Sequence, residues 1–148
     1  CLHQGTRIRW TRAVSTLGVD RLGFAADQVV QEFGYDADVV DEFRFAIEDL
    51  CGGDLEDEDY TGTTDAVIPW WRAGDGDLSE VLMDLGTMVE DGGFVVLLVP
   101  KQGAAGAVEA SEVDEAASTA GLHASESAPV GDNWRATRLV APRSRSRR

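Results

Sequence analysis

The sequence predicts an α/β fold, with a mainly parallel sheet, helices on both faces and an antiparallel C-terminal strand pair. Three observations predict it. Strand-like and helix-like segments alternate along the chain, and residues 94–99 form a continuous apolar run, typical of a central parallel strand buried on both faces. The last two extended segments are joined by a short turn, which favours antiparallel pairing.

The length of 148 residues fits one domain. We expect a single α/β domain over residues 17–142. Residues 1–16 have no clean hydrophobic period and are predicted to be a mobile lead-in. Residues 143–148 are polar and arginine-rich, and they are predicted to be a disordered basic tail.

The first two elements are a strand and a helix. Residues 28–33 predict a strand that ends before a glycine. Asp38 is placed to cap a helix that runs through Leu50, because apolar residues follow it at helical spacing on one face. Gly52–Gly53 should end this helix, since glycine adopts the backbone conformation that follows a last helical turn.

Two further strand signals follow. A short strand is expected near Leu55, although the acidic residues after it offer little apolar surface to bury. Residues 65–71 predict the next strand, which should end or bulge at Pro69 because proline cannot donate a hydrogen bond to a neighbouring strand.

The next helix has a capping signal and a complete apolar stripe. Asp77 precedes it with Glu80 three residues on, which is a capping-box arrangement. Gly92–Gly93 should end the helix before the apolar strand at 94–99. The apolar residues at helical spacing are Leu78, Val81, Leu82, Leu85, Met88 and Val89.

The last helix and strand pair complete the domain. Ser111 is expected to begin a helix that ends at Gly121. Residues 122–128 and 134–141 then predict two extended segments, and the turn between them is short enough to make them antiparallel neighbours.

The charge of the chain is strongly acidic and unevenly distributed. The 27 acidic residues outnumber 13 basic ones, for a formal net charge of -14. Between Arg21 and Trp134 there are 26 acids and four basic residues, whereas arginines concentrate near both ends. Phosphate backbones repel such a body, so nucleic-acid binding through the folded surface is not expected.

The chain carries no signal for a membrane, a disulfide framework or a metal site. No apolar run approaches the length of a membrane span, and a cytoplasmic location is expected. Cys51 should be a reduced, partly buried thiol at the end of a helix. His3 and His123 have no further ligand at metal-binding spacing, so no transition-metal site is expected.

Ligands of open parallel sheets bind beyond the carboxyl ends of the strands. The first strand delivers residues 32–36 to that edge, the strand after Asp65 delivers residues 70–72, and the apolar strand delivers Lys101. The candidate ligand-binding residues are therefore Glu32, Gly34, Tyr35, Asp36, Trp70, Trp71, Arg72 and Lys101.

Two features of these candidates leave alternatives open. Trp70 and Trp71 are adjacent in a strand and point to opposite faces, so at most one can stack on a ligand; otherwise both belong to the core or its rim. Arg72 and Lys101 would suit an anionic group if both line the cleft. The alternative is that they balance neighbouring acids.

The segment 22–34 resembles the beginning of S-adenosylmethionine-dependent methyltransferase folds, which read Leu-Gly, a turn, a strand, an acidic residue and a glycine-rich loop. Glu32 matches the acid and Gly34 the first glycine. The later glycines are replaced by Asp36 and Asp38, whose side chains would obstruct and repel the cofactor. The resemblance implies the fold; no cofactor is expected, with S-adenosylmethionine as the alternative.

A closer resemblance covers residues 17–142. The chain resembles the actinobacterial domain of unknown function 3052, which implies a small cytoplasmic, Rossmann-like protein without an assigned reaction or catalytic residues. The motifs that carry the resemblance are residues 32–36, 46–49, 70–72, 74–78, 100–101, 119–122, 133–134 and 138–142.

The expected function is that of a non-enzymatic protein that binds a small ligand or a protein partner at the strand-end cleft. One alternative is a methyltransferase with a degenerate cofactor loop. Another is an acidic interaction or regulatory protein whose body attracts a basic partner.

Overall fold

A five-stranded sheet flanked by three helices forms the body of the protein in a computed structural model, which describes Val19 and residues 21–141. The expectations for residues 1–16 and 143–148 lie outside the described residues. The elements in chain order are β1 (Val30–Phe33), α1 (Asp41–Cys51), β2 (Thr64–Pro69), α2 (Leu78–Met88), β3 (Val89–Pro100), α3 (Ala110–Thr119), β4 (His123–Val130) and β5 (Trp134–Val140).

The strand order is β1-β2-β3-β5-β4, with β1, β2 and β3 parallel. The strand β5 lies antiparallel to both β3 and β4, so the C-terminal pair completes the sheet at the edge opposite β1. Phe33 faces Pro69 in the register of β1 and β2, which brings the carboxyl ends of these strands together. The predicted α/β fold and its antiparallel C-terminal pair are confirmed.

Side chains of the central strands alternate between two hydrophobic layers. Even-numbered residues of β3, such as Val96 and Leu98, pack in the layer with α1. Odd-numbered residues, such as Leu97 and Val99, pack in the layer with α2 and α3. The run at 94–99 is therefore buried on both faces, as its unbroken apolar sequence predicts, although only one neighbour of β3 is parallel.

Two predicted helix ends are confirmed and two predicted caps are wrong. The Asp77 carboxylate accepts hydrogen bonds from the first turn of α2, and Gly52 follows α1 with a φ of 84°. Asp38 does not cap α1, which begins after Val40; its carboxylate is bound by an arginine instead. Ser111 lies inside α3, whose first residue is Ala110 and whose N-cap has no side-chain hydrogen bond.

Two strand boundaries also differ from prediction. Near Leu55 there is only an isolated bridge, because one pair of backbone hydrogen bonds joins Glu56 to β1 before the acidic segment turns away. Gly92–Gly93 lies inside β3 rather than at a helix end. Thr64 of β2 pairs with Val89 of β3, but Ala66, two residues later, pairs with Phe94, five residues later. The extra residues of β3 form a β-bulge, which contains Gly92 with a φ of 84°.

Smaller predictions vary in outcome. The strand β2 ends at Pro69 as expected. Met88 is 36% exposed and Val89 already belongs to β3, so the apolar stripe of α2 is shorter than predicted. Cys51 is a buried free thiol, and burial raises its pKa. None of the helices within the described residues is long and apolar enough to cross a membrane.

Candidate functional site

The carboxyl ends of β1 and β2 form a crevice between two loops. The chain leaves β1 into residues 34–40, which lead to α1, and leaves β2 into residues 70–77, which lead to α2. We call the space between these loops the strand-end crevice. It is the position at which open α/β sheets bind ligands.

Glu32 lies at the base of the strand-end crevice and is saturated by donors from the protein itself. Its side chain is 7% exposed. Arg44 of α1 binds it with two bonds, from Nε to Oε2 at 2.6 Å and from Nη2 to Oε1 at 2.9 Å. Trp70 Nε1 donates to Oε2 at 2.8 Å. This carboxylate therefore holds α1 and the loop after β2 against β1.

Arg72 spans the strand-end crevice from one loop to the other. Its Nη1 donates to the carbonyl oxygens of Gly34, at 3.0 Å, and Trp70, at 3.1 Å. Its Nε and Nη2 donate to the two carboxylate oxygens of Asp38 at 3.0 and 2.5 Å. The guanidinium also lies over the Trp134 ring, with Cζ 5.2 Å from the centroid. These contacts join the two loops across the strand-end crevice.

Arg72 and Asp38 each stabilise the charged form of the other. The bidentate hydrogen bond from Arg72 holds the pKa of Asp38 below its ordinary value, although partial burial opposes the shift. The same bond raises the pKa of Arg72. Trp134 Nε1 donates to the Asp38 carbonyl oxygen at 3.0 Å, so β5 is tied to the same loop. Both side chains are therefore charged over the physiological pH range.

Gly34 allows the two loops to touch. Its φ is 76°, and a Cβ at this residue would lie 2.4 Å from the Trp70 carbonyl oxygen. Its backbone N–H donates to Glu58 Oε2 at 2.8 Å. The glycine matched to a cofactor loop by sequence is required here for the approach of the protein's own backbone.

The remaining predicted residues lie at the rim or elsewhere. Tyr35 is 56% exposed, and the Arg44 guanidinium lies 4.7 Å from its ring centroid. Asp36 accepts a hydrogen bond from the Ala37 N–H and stays at the surface. Trp71 is buried in the layer of α2 and α3. Lys101 follows β3, where its backbone N–H donates to the carbonyl of the residue before β5.

Of the eight predicted residues, the structure thus brings together four: Glu32, Gly34, Trp70 and Arg72. Sequence reasoning missed Arg44 and Trp134. The signal for Arg44 was present, because it is one of only four basic residues between Arg21 and Trp134 and the same rarity singled out Arg72. Trp134 lies in one of the motifs of the family resemblance, but its approach to Asp38 depends on the turn that returns β5 to the crevice, which that motif does not reveal.

A second concavity runs beside the crevice along the outer face of α1. It has a volume of about 1230 Å³ and lies between α1 and the turn that joins β4 to β5. We call it the acidic groove. Its charged and aromatic lining residues are Asp38, Asp41, Glu42, Phe45, Glu48, Asp49, Asp54, Asp132 and Trp134.

The acids of this groove differ in their partners. Asp38 and Asp41 bind arginines, and Glu48 accepts the Leu55 N–H. The other four carboxylates accept no hydrogen bond and form no ion pair with any residue of the described ranges; they belong to Glu42, Asp49, Asp54 and Asp132.

The exposed residue Phe45 lies among these acids, with 57% of its surface accessible. Within the described part of the chain, no three Asp, Glu, His or Cys side chains converge closely enough to hold a metal ion. The groove therefore combines negative charge with one exposed aromatic ring.

The chain matches a protein family over most of its length. Residues 19–143 match the family described as "Protein of unknown function (DUF3052)". Two relatives are the uncharacterized proteins Rv2239c of Mycobacterium tuberculosis and Mb2263c of Mycobacterium bovis. Each is 49% identical over 127 residues, which make up 85% of this chain and 79% of the relative. The chain belongs to the DUF3052 family.

The fold is similar to that of solved methyltransferases. The CcbJ methyltransferase from Streptomyces caelestis matches with a TM-score of 0.60 and 13% identity, covering 89% of each chain. The mitomycin 7-O-methyltransferase MmcR matches with a TM-score of 0.55 and 15% identity, covering 91% of this chain and 54% of MmcR. This chain thus spans about half the length of MmcR. At such identities the likeness shows a methyltransferase-like, Rossmann-like fold and nothing about activity.

Proposed function

We propose that this DUF3052 protein is a non-enzymatic binding protein that recognises a basic polypeptide segment through the acidic groove along α1. One observation carries the proposal. The polar groups at the strand-end crevice are bound to one another, whereas four carboxylates of the adjacent acidic groove have no partner within the described residues.

The crevice supports a role without a cofactor. A ligand that entered it would have to displace Arg72 from Asp38 and from two backbone carbonyls. It would find Glu32 already bound by three donors. Buried polar groups that lose their partners are costly, so the ligand would have to replace each of these bonds. S-adenosylmethionine carries a carboxylate of its own, which Asp36 and Asp38 would oppose.

The acidic groove supports binding of a basic chain. Two of its unpaired carboxylates, those of Glu42 and Asp49, lie on the helix that carries the exposed Phe45 ring, and the other two line the groove from neighbouring loops. Arginine suits this surface, because its planar guanidinium binds carboxylates with two hydrogen bonds and stacks on aromatic rings. The acidic body would also accelerate the encounter with a cationic partner through long-range attraction.

The methyltransferase alternative rests on the fold. It requires the Arg72–Asp38 pair to open and S-adenosylmethionine to enter the crevice. The two proposals differ in the ligand that binds and in the residues that affect binding, so the same protein sample can separate them.

The test is a fluorescence anisotropy titration with a labelled peptide of alternating arginine and leucine, alongside calorimetry with S-adenosylmethionine. We expect saturable peptide binding that weakens as salt rises. The double variant Glu42→Gln/Asp49→Asn should weaken binding by about tenfold, because each of two ion pairs at solvent-exposed carboxylates contributes up to about 1 kcal/mol. S-adenosylmethionine should release no heat of binding.

The matched control is the double variant Glu112→Gln/Glu115→Gln, which removes the same charge from the exposed surface of α3. It should leave peptide affinity within about twofold of the wild type, because screening limits attraction over longer distances. Equal losses in both double variants would mean that the peptide responds only to net charge. Binding of S-adenosylmethionine without peptide binding would favour the methyltransferase alternative.

A further inference from the structure

A small pocket lies at the carboxyl end of β3, on the side of the sheet away from β1. Its volume is about 340 Å³, and Trp134 is the only residue that it shares with the acidic groove. We call it the β3-end pocket. Its lining residues are Lys101, Gln102, Ser127, Ala128, Pro129, Trp134 and Arg135.

The charge of the β3-end pocket is opposite to that of the rest of the body. Two basic side chains line it, and no carboxylate does. This arrangement is unusual in a chain with 27 acidic and 13 basic residues, where an arginine or lysine has many possible acidic partners. Arg135 also lines an adjoining concavity that contains Asp114 and Glu126, so the positive charge is confined to the end of β3, where Lys101 joins it and the local field favours an anion.

The basic residues between 21 and 141 differ in how they are used. Three arginines form ion pairs: Arg21 with Glu126, Arg44 with Glu32 and Asp41, and Arg72 with Asp38. A fourth, Arg138, donates to Ser125 Oγ and lies over the Phe94 ring.

Lys101 and Arg135 are the remaining two. Their side chains form no hydrogen bond, ion pair or ring contact with the residues that the structure describes. The two cations without a partner in this part of the chain thus line the same cavity.

The sheet register places these two cations near each other. Arg135 faces Val99 on β3 and Pro129 on β4. The Lys101 backbone N–H donates to the Asn133 carbonyl oxygen at 2.9 Å, which extends the β3–β5 pairing past Pro100. Lys101 follows Val99 by two residues, so it is a diagonal neighbour of Arg135, and such pairs have Cα atoms about 7–8 Å apart. Two long side chains at that spacing can reach one anionic group.

The uncharged lining residues indicate what chemical group the ligand carries beside its anionic group. Ala128, Pro129 and Trp134 provide apolar surface, and Ser127 adds a hydroxyl group. A volume near 340 Å³ is at the lower end of ligand pockets, about 300–1000 Å³, so it suits a small metabolite rather than a polypeptide.

We propose that the β3-end pocket binds a small organic anion, a carboxylate or phosphate monoester attached to an apolar body. Arg135 holds the anion through its planar pair of donors, Lys101 adds a second positive charge, and the apolar body lies against Pro129, the cross-strand neighbour of Arg135 on the same face of the sheet. This site is independent of the acidic groove proposed above, because it selects a ligand of the opposite charge.

The test uses four probes with the whole chain: phenyl phosphate, benzoate, inorganic phosphate and the neutral benzyl alcohol. Binding is followed by calorimetry and by the thermal unfolding midpoint. Phenyl phosphate or benzoate should bind at least about tenfold more tightly than inorganic phosphate, because the apolar body adds burial to the charge contact. Benzyl alcohol should not bind measurably. The preferred head group, phosphate or carboxylate, identifies which of the two classes the site takes.

The variants Arg135→Gln and Lys101→Gln should each weaken binding of the preferred anion by about tenfold, which is the usual loss for one charge-assisted contact. Their thermal unfolding midpoints without ligand should equal that of the wild type, since neither side chain has a partner to lose in the described structure. The control variant is Arg21→Gln. It removes the same charge from outside the β3-end pocket, where Arg21 pairs with Glu126 of β4, and it should leave anion binding unchanged.

Three results would overturn the proposal. The first is that none of the three anions binds saturably. The second is that inorganic phosphate binds as tightly as phenyl phosphate and benzoate, which would indicate attraction by charge without a pocket. The third is that Arg21→Gln weakens binding as much as Arg135→Gln does.

Discussion

The strand-end crevice and the acidic groove lie side by side and share Asp38, yet their carboxylates have different surroundings. In the crevice, Glu32 is buried and bound by three donors. In the groove, Glu42 and Asp49 are exposed to solvent and have no partner among the described residues. The charges of the crevice thus bind one another within the fold, whereas these two carboxylates of the groove face solvent.

The largest expected effect is on the free energy of unfolding, when one carboxylate is removed from the crevice and, in a second variant, one from the groove. Glu32→Ala should lower the free energy of unfolding by about 3–5 kcal/mol, because Trp70 Nε1 and two N–H donors of Arg44 lose a buried acceptor, which leaves Arg44 only its bond to Asp41. Glu42→Ala in the groove should change it by less than about 0.5 kcal/mol. Urea unfolding monitored by tryptophan fluorescence measures both, and equal losses would remove the distinction between the regions.

A smaller loss of stability should follow removal of Arg72, the arginine that spans the crevice. Arg72→Met should lower the free energy of unfolding by about 2 kcal/mol, because two carbonyl oxygens and Asp38 lose a charged donor while water can reach part of the space. Arg72→Lys should recover some of this loss, since lysine keeps the charge but not the planar set of donors. An unchanged stability in Arg72→Met would mean that the crevice is not held by this side chain.

The pH dependence of the free energy of unfolding should show the contribution of the ion pair between Asp38 and Arg72. The pKa of Asp38 in the folded state is lowered by Arg72, below the unfolded value of about 3.9. The pair therefore contributes stability that is fully present above the unfolded pKa and is lost as the pH falls through the folded pKa. The stability difference between the wild type and Asp38→Asn should shrink as the pH is lowered from 5 to 2.

Asp77 contributes to the same acid transition, because the hydrogen bond from the Ser79 hydroxyl lowers the pKa of Asp77 as Arg72 lowers that of Asp38. The wild-type acid transition thus contains both groups, and only the difference from Asp38→Asn isolates the crevice. A difference that stays constant from pH 5 to 2 would contradict the assignment.

The smallest effect should come from the groove and have the opposite sign. Glu42→Gln/Asp49→Asn removes one charge from the first turn of α1 and one from the last turn, where the helix dipole acts on them with opposite signs. The free energy of unfolding should therefore stay unchanged or rise by up to about 0.5 kcal/mol at low salt, as repulsion among the acids of the groove falls. Urea unfolding at low and high salt measures it. A clear loss of stability would show that these carboxylates have a structural role.

The sequence predicts most of the fold because its hydrophobic pattern is local. The run at 94–99 and the stripe beginning at Leu78 indicate a buried strand and an amphipathic helix without knowledge of their neighbours. Asp77 is predicted as a cap for the same reason, since its bonds lie within three residues. The caps predicted at Asp38 and Ser111 are wrong because local preference is only one of several possible uses for a short polar side chain.

The site is less predictable because its contacts join residues far apart in the chain. Arg72 binds Asp38 across 34 residues, and Trp134 donates to the Asp38 carbonyl across 96. Sequence analysis identifies Glu32, Gly34, Trp70 and Arg72 as a group because strand ends converge. It does not reveal that their polar atoms bind each other, since pairing depends on side-chain geometry that the sequence pattern lacks.

A titration of the ¹⁵N-labelled protein with two ligands, monitored through the backbone amide resonances, tests directly whether the acidic groove binds a partner and the crevice does not. We predict that the arginine–leucine peptide shifts the amides of Phe45, Asp49 and Asp132, and that S-adenosylmethionine leaves those of Gly34 and Tyr35 unchanged. Shifts of Gly34 and Tyr35 with S-adenosylmethionine, together with an acidic groove that the peptide leaves unperturbed, would instead favour a methyltransferase.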